Sequence, residues 1–236
     1  MKSILALIGI TCAMTLFGHT NNYVDVIAGI SNQMTTSLSC RHDLTEVFAS
    51  SGMTSNEFSL VLVGLTRRYI LDAGENAAGR EDLVDFLSDW GTTNAVETLE
   101  ELFESRYVEA WTGLARINGL STNMMERLTT NLTSRSVSGR ETAYRALRKS
   151  ALRYPVSSPE RDMVKSYLRT QITADFGLAQ TIDYMLLSLD PSYRDSADRL
   201  VDLRAALERG AGHPMFGRKQ LKEEVERLAV EFREFP

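Results

Sequence analysis

Carboxylates spaced four residues apart are the side chains of this chain best suited to chemistry, because that spacing places both members of a pair on one helix face. Two such pairs are Asp85 with Asp89 and Glu97 with Glu101. A pair of this kind can act as general acid and base if one member stays protonated in a dry pocket. A hydrolase with its cleft near Trp90 or Trp111 is therefore one hypothesis. The alternatives are a solvated acidic helix face and aromatic side chains that belong to the core.

Charge is strongly segregated along the chain. Residues 72–105 contain ten acidic residues and one basic residue, Arg80, a local balance of −9. Residues 135–169 contain nine basic and three acidic residues, a balance of +6. Such a basic segment on an acidic protein could bind an anionic lipid head group, an acidic polymer or the acidic face of another protein. It could equally be a solvated face, or one matched by the protein's own acidic segment.

The basic segment supplies the candidate binding residues. Arg161, Lys165 and Arg169 follow one another at four-residue steps. They should form a ridge along one side of a helix, away from its apolar stripe. The full predicted set is Arg145, Arg148, Lys149, Arg161, Lys165 and Arg169.

Metal and cofactor chemistry has no support in the sequence. Beyond residue 20 the two histidines, His42 and His213, lie far apart, and neither His-x-x-x-His nor Cys-x-x-Cys spacing occurs. A Gly-x-Ser-x-Gly elbow, a Ser-x-x-Lys pair and a glycine-rich phosphate loop after a strand are missing as well. We therefore predict no metal site and no cofactor.

The first twenty residues are typical of an export signal. Lys2 precedes an apolar run from Ile4 to Phe17. This run is shorter than the about 20 residues that a spanning helix needs. We expect a signal peptide over residues 1–20 and a periplasmic or secreted protein; the alternative is a membrane anchor formed by uncleaved residues 3–18.

Removing the predicted signal peptide changes the chain's charge and thiol content. It leaves 25 basic and 31 acidic residues, a net charge of −6, which disfavours a nucleic-acid binder. Cys40 then remains as the one thiol, so no internal disulfide can form. Stability must come from packing.

Few helix breakers interrupt the rest of the sequence. It has 5 prolines and 15 glycines in 236 residues, and apolar residues recur at three- and four-residue steps. Thr54 with Glu57 and Ser138 with Glu141 have the spacing of a capping box, and Asn94 with Glu97 predicts another start, for a helix that runs to Asn118. Pro155 should close the helix that begins at Ser138.

The strongest helix signal begins at Ser158, which can cap a helix whose first residue is Pro159. Six positions in this stretch share one apolar stripe: Val164, Leu168, Ile172, Ala179, Ile182 and Leu186. The pattern predicts one long helix over residues 159–188, with neighbours on more than one side.

The whole pattern predicts an all-α protein of about ten amphipathic helices in antiparallel pairs, forming an irregular helical bundle or a short α-solenoid-like array. No linker rich in Pro or Ser divides residues 21–236, so we expect one domain. An export signal combined with helical pairs favours a non-catalytic interaction or scaffold module with a protein partner in the cell envelope. The hydrolase, and binding of an anionic lipid or acidic polymer through residues 135–169, are the alternatives.

Overall fold

The protein is mostly helical in the part that the computed structural model describes, which comprises residues 26–28, 30, 44–71, 80–105, 107–132 and 136–233. No strand occurs in these ranges, which confirms the predicted all-α class. Near the start, Val26, Ala28 and Ile30 are helical. Within the same ranges, none of the helices combines the length and apolar character needed to cross a bilayer. The predicted signal peptide, Cys40 and His42 lie outside the described residues.

Two compact units make up the chain, the first ending at Gly119 and the second beginning at Leu120. The single domain expected over residues 21–236 stays a prediction.

From residue 44 onward, the described part of the first unit has five α-helices: α1 (Leu44–Ser51), α2 (Ser55–Thr66), α3 (Arg80–Trp90), α4 (Val96–Glu104) and α5 (Val108–Asn118). The capping box predicted for α2 is confirmed. The Thr54 hydroxyl accepts a hydrogen bond from the Glu57 amide at 3.3 Å, and the Glu57 carboxylate accepts one from the Thr54 amide at 2.7 Å. Beyond Thr66 the helix continues as a π-helical turn, Arg67–Leu71.

Close packing of α5 against α3 and α4 builds the core of this unit. Trp111 and Leu114 of α5 are completely buried, as is Leu99 of α4. Gly113 makes the approach possible, because a Cβ atom at this position would lie 2.8 Å from the Ser88 Cα. Helix backbones can come this near only where a side chain is missing.

The single helix predicted from Asn94 to Asn118 is wrong, because the structure has two helices there. The Ser105 amide closes α4 on the Glu101 carbonyl at 3.0 Å, and Tyr107 is extended, with φ −80° and ψ 96°. The break lets α4 and α5 pack on each other. Asn94 caps no helix: its side chain accepts a hydrogen bond from Ser59 and donates one to the Asn56 carbonyl at 3.2 Å.

The described part of the second unit has six α-helices: α6 (Thr122–Leu132), α7 (Val137–Ala151), α8 (Pro159–Ala174), α9 (Ala179–Leu189), α10 (Ala197–Arg209) and α11 (Arg218–Arg233). Two 3-10 turns, Phe176–Leu178 and Pro191–Asp195, precede α9 and α10. The predicted start of α8 is confirmed, since the Ser158 hydroxyl accepts a hydrogen bond from the Arg161 amide at 3.2 Å.

The long helix predicted over residues 159–188 is wrong, because the chain leaves helical geometry at Asp175 (φ −115°, ψ 56°). The Asp175 carboxylate accepts hydrogen bonds from Arg140 at 2.6 Å and from Tyr144 at 3.2 Å, which fix the break to α7. The start of α8 lies beside the end of α9. The predicted apolar stripe is fully buried, but it lies between two helices that pack on each other.

The boundaries predicted for α7 are also wrong. Ser136, two residues before the predicted cap, accepts the hydrogen bond from the Gly139 amide at 3.2 Å, so Ser138 lies inside the first turn. The helix ends at Ala151, ahead of Pro155. Several Ser, Thr and Glu residues within one turn offer more than one cap, and spacing alone does not choose among them.

A buried ion pair joins the last helices. The Arg199 guanidinium of α10 donates two hydrogen bonds to the Asp183 carboxylate of α9, at 2.9 and 2.8 Å, and a third to Glu224 of α11 at 3.0 Å. Arg199 and Asp183 are both buried. A bidentate pair of this kind fixes the geometry between helices.

Candidate functional site

The six predicted binding residues lie on two neighbouring helices. Arg145, Arg148 and Lys149 belong to α7, and Arg161, Lys165 and Arg169 belong to α8. The two groups meet different surroundings.

Arg161, on α8, is almost completely buried, with 7% of its surface exposed. Its guanidinium donates hydrogen bonds to the Leu189 carbonyl at 2.8 Å and the Tyr154 carbonyl at 2.9 Å. The last carbonyls of a helix lack intrahelical donors and carry a partial negative charge, which a cation stabilises. Arg161 therefore caps the end of α9.

Lys165 contacts two carboxylates, Asp162 at 2.7 Å and Asp190 at 3.0 Å. Burial by itself would lower the pKa of Lys165, but the hydrogen bonds to both carboxylates outweigh burial and raise that pKa. The pKa of Asp190 is lowered, first by the hydrogen bond from the Ser192 hydroxyl and then by Lys165.

Arg169 forms a forked contact with Asp202, with its Nε atom 2.7 Å from a carboxylate oxygen, and a second pair with Asp198 at 2.8 Å. The hydrogen bond to Asp202 raises the pKa of Arg169 above its ordinary value. The described carboxylates that neutralise Lys165 and Arg169 thus belong to the second unit, as do these two cations.

On α7 one of the three basic side chains lies mostly in solvent. The Arg145 side chain is 68% exposed and contacts Glu141, one turn earlier, at 2.6 Å. Arg148 donates a hydrogen bond through Nε to the Ser188 hydroxyl at 2.6 Å, and Lys149 is half-buried. Arg145 and Arg148 line a groove between α7 and α9.

The groove, which we call the α7–α9 groove, has a volume of about 650 Å³ and a largely apolar wall. Three large apolar side chains on it stay in solvent: Phe216 is 72% exposed, Tyr184 63% and Val137 55%. Leu178 and Met185 form its buried floor. Exposed apolar side chains that lie together in a concave surface are typical of binding sites.

Phe216 is brought to the groove by the loop between α10 and α11. Gly217 has φ 69°, a left-handed conformation that other residues rarely adopt, and a Cβ atom there would collide with the Gln180 side chain. His213 stacks near Phe176, with ring centroids 5.6 Å apart. The loop therefore lies against the start of α9.

The groove is polarised. Arg140 near the start of α7 contacts Asp175 just before α9, while Arg148 contacts Ser188 near the end of α9. The start of α7 thus lies by the start of α9, and the two ends also meet. Val137, Leu178 and Phe216 occupy the first end, which is apolar, and the two arginines lie toward the second end, on the level of Tyr184 and Met185.

A second cavity of about 570 Å³ lies among α9, α10 and α11. The buried pair Asp183–Arg199 forms part of its wall, and Arg227 there contacts Asp195 at 3.0 Å and Glu224 at 3.1 Å. These charges neutralise one another across the cavity, so the contacts hold three structural elements together.

Of the predicted acidic pairs, Asp85 with Asp89 lies on α3 and Glu97 with Glu101 lies on α4. Trp111 is completely buried, so it belongs to the core, and the Trp90 ring packs 5.2 Å from Phe48. Glu97 and Glu101 both reach Arg67, at 3.9 and 3.0 Å. No group of three or more metal-ligating side chains is found among the described residues. The hydrolase hypothesis stays a prediction.

Sequence reasoning selected Arg145 and Arg148 but missed the apolar part of the groove. Tyr184 lies off the buried stripe of α9, and Phe216 belongs to no helical pattern. The one available signal was a phenylalanine beside glycine in a short loop, where nothing local can bury it.

No protein-family model matches the chain, and no curated protein or solved structure is detectably similar to it. The geometry of the α7–α9 groove therefore carries the functional inference.

Proposed function

We propose that this chain is an exported, non-catalytic helical protein that binds a protein partner of the cell envelope through the α7–α9 groove. Export rests on the sequence of residues 2–17, whose charge and apolar length fit a signal peptide. Binding rests on one observation, the group of exposed apolar side chains formed by Val137, Tyr184 and Phe216.

The composition of the groove supports a protein partner. Interfaces between proteins are enriched in aromatic residues, Met and Arg relative to the rest of the surface. Tyr184, Phe216, Met185 and the two arginines supply these residue types within one concavity. Leaving Phe216 in water is unfavourable, and a partner that covers it gains roughly 25 cal/mol for each Å² of apolar surface removed from solvent.

Site-specific photo-crosslinking in the native cell tests the proposal. A photoreactive phenylalanine analogue at position 216 should give a discrete adduct with one envelope protein, and fractionation should place that adduct outside the cytoplasm. The matched control is the same analogue at Val201, which is 62% exposed on α10 and not part of the groove.

An adduct at position 216 that is missing at position 201 supports the groove as the binding surface. Equal labelling at both positions, or a chain retained in the cytoplasm, contradicts the proposal.

A further inference from the structure

We infer that the α7–α9 groove binds an amphipathic helix that carries acidic residues at one end of its apolar face. This inference rests on the proposed function and specifies the chemistry of the partner. Its basis is the order of side chains along the groove, which is apolar at one end and has two arginines beside Tyr184 and Met185 at the other.

The expected shape of the partner follows from the groove itself. Its two sides are helices, and no strand edge occurs in the described part of the chain, so an extended peptide would find no main-chain partners there. A helix satisfies its own backbone and needs only side-chain contacts. From Val137 to Arg148 the groove runs about 16 Å along α7 at 1.5 Å per residue, which is about three helical turns of a partner.

Charge complementarity predicts the sign of the partner's charge. The charged residues lining the groove are Glu141, Arg145 and Arg148, a local balance of +1 on a chain whose net charge is −5. Arg145 is largely exposed, and its described partner is a single carboxylate one turn away. The guanidinium fork has donors left for a second carboxylate.

The spacing on the partner follows from the distance between the two ends. Val137 and Arg145 are eight residues apart, or about 12 Å along α7. A bound helix should therefore place its acidic residue about two turns from the apolar residue that contacts Phe216 and Leu178. Apolar anchors at i, i+3 or i+4, and i+7 should fill the space between them.

Two synthetic probes test this with the full chain. Both are alanine-based helical peptides of about 18 residues. Each carries leucines at i, i+4 and i+7. The first adds two glutamates just beyond the last leucine, and the second has lysines in their place. Fluorescence anisotropy should show that the glutamate peptide binds at least about tenfold more tightly than the lysine peptide, and that raising the salt from about 50 to about 500 mM reduces the difference.

Variants locate the binding. Phe216→Ser should weaken binding of the glutamate peptide at least about tenfold, and Arg145→Glu should abolish its advantage over the lysine peptide. Matched controls are Val201→Ser and Arg204→Glu, which change exposed residues of α10 outside the groove. Neither control should change the affinity. All four altered side chains are exposed, so circular dichroism should show unchanged helix content.

Four results overturn the inference: no binding of either peptide, equal affinity for both, variants that bind like the unaltered chain, or controls that weaken binding as much as the groove variants. Phosphatidylglycerol vesicles that bind in a Phe216-dependent manner, with no peptide binding, assign the groove to lipid. Self-association removed by Phe216→Ser, again without peptide binding, assigns it to a second copy of the chain. A position-216 crosslink combined with equal peptide affinities retains the proposed function and rejects this inference alone.

Discussion

The basic residues of α8 and α7 belong to the same basic segment of the sequence, residues 135–169, but have different surroundings in the structure. On α8, Arg161 caps the end of α9, while Lys165 and Arg169 meet carboxylates of the following segments. On α7, Arg145 contacts a carboxylate of its own helix and otherwise faces water. The row that forms the more regular ridge in the sequence is therefore the one that the fold covers.

The difference has a physical origin in packing. Helix α8 packs against both α9 and α10, so its polar side meets other helices as well as its apolar side. A cation that is covered in this way must find acceptors, because an unpaired buried charge is very costly. Periodicity tells which residues share a face, but it does not tell which other segment will cover that face.

The largest expected loss of stability comes from replacing Arg161, one of the covered basic residues of α8. Arg161→Met removes the donor to the Leu189 and Tyr154 carbonyls and should lower the free energy of unfolding by about 3 kcal/mol. Urea denaturation followed by circular dichroism measures this. A loss below about 1 kcal/mol would mean that water replaces the guanidinium without cost, and that α8 and α7 do not differ as described.

The next effect concerns Arg169. Replacing it by Met leaves the Asp202 carboxylate with the Tyr193 hydroxyl, 2.9 Å away, as its remaining described donor, and should cost about 1.5 kcal/mol. A double-mutant cycle with Asp202→Asn isolates the Arg169–Asp202 pair and should give a coupling energy of about 1 kcal/mol. If the losses of unfolding free energy caused by the two single substitutions simply add in the double mutant, the forked contact contributes nothing to stability.

Local signals were the part of the fold that the sequence could predict. The capping box at Thr54 and Glu57 and the Ser158–Pro159 start each depend on residues within one turn, and both are confirmed. The break at Asp175 was missed because the apolar stripe continues across it. What ends α8 is a contact of Asp175 with Arg140, 35 residues away, and no window of helical periodicity contains both.

The candidate site also has one part that the sequence predicts and one part that it does not. Arg145 and Arg148 were predicted from charge alone, which is visible in the sequence. The apolar half was not, because it joins α7, the start of α9 and the loop before α11. Phe216 lines the same groove as Leu178 because of tertiary packing, and a residue outside any helix gives no periodic signal.

A smaller effect depends on pH and on the pair formed by Lys165 and Asp190. The folded-state pKa of Asp190 lies below its ordinary value. The stability that its carboxylate contributes is therefore fully present above the unfolded-state pKa, about 3.9, and is lost as the pH falls through the lower folded-state pKa. Asp190→Asn should lower the free energy of unfolding by about 1 kcal/mol at neutral pH.

Chemical denaturation at about pH 7 and about pH 3 measures this change, and the difference between the two chains should shrink at the lower pH. The matched control is Asp195→Asn, another carboxylate near the start of α10 but one that contacts Arg227. A gap between the unaltered chain and Asp190→Asn that stays constant or widens in acid would contradict the direction given for the Asp190 pKa.

The smallest effect on stability is expected at Arg145, on α7. Arg145→Met removes an exposed ion pair within one helix and should change the free energy of unfolding by less than about 0.5 kcal/mol. The same substitution should weaken binding of the glutamate peptide, because it removes the most exposed cation lining the groove. A residue that contributes little to folding and much to binding is what distinguishes the α7 row from the α8 row. If Arg145→Met destabilised the chain as much as Arg161→Met, the basic residues of both helices would be structural. The α7–α9 groove would then offer no free positive charge from which to infer a negatively charged partner.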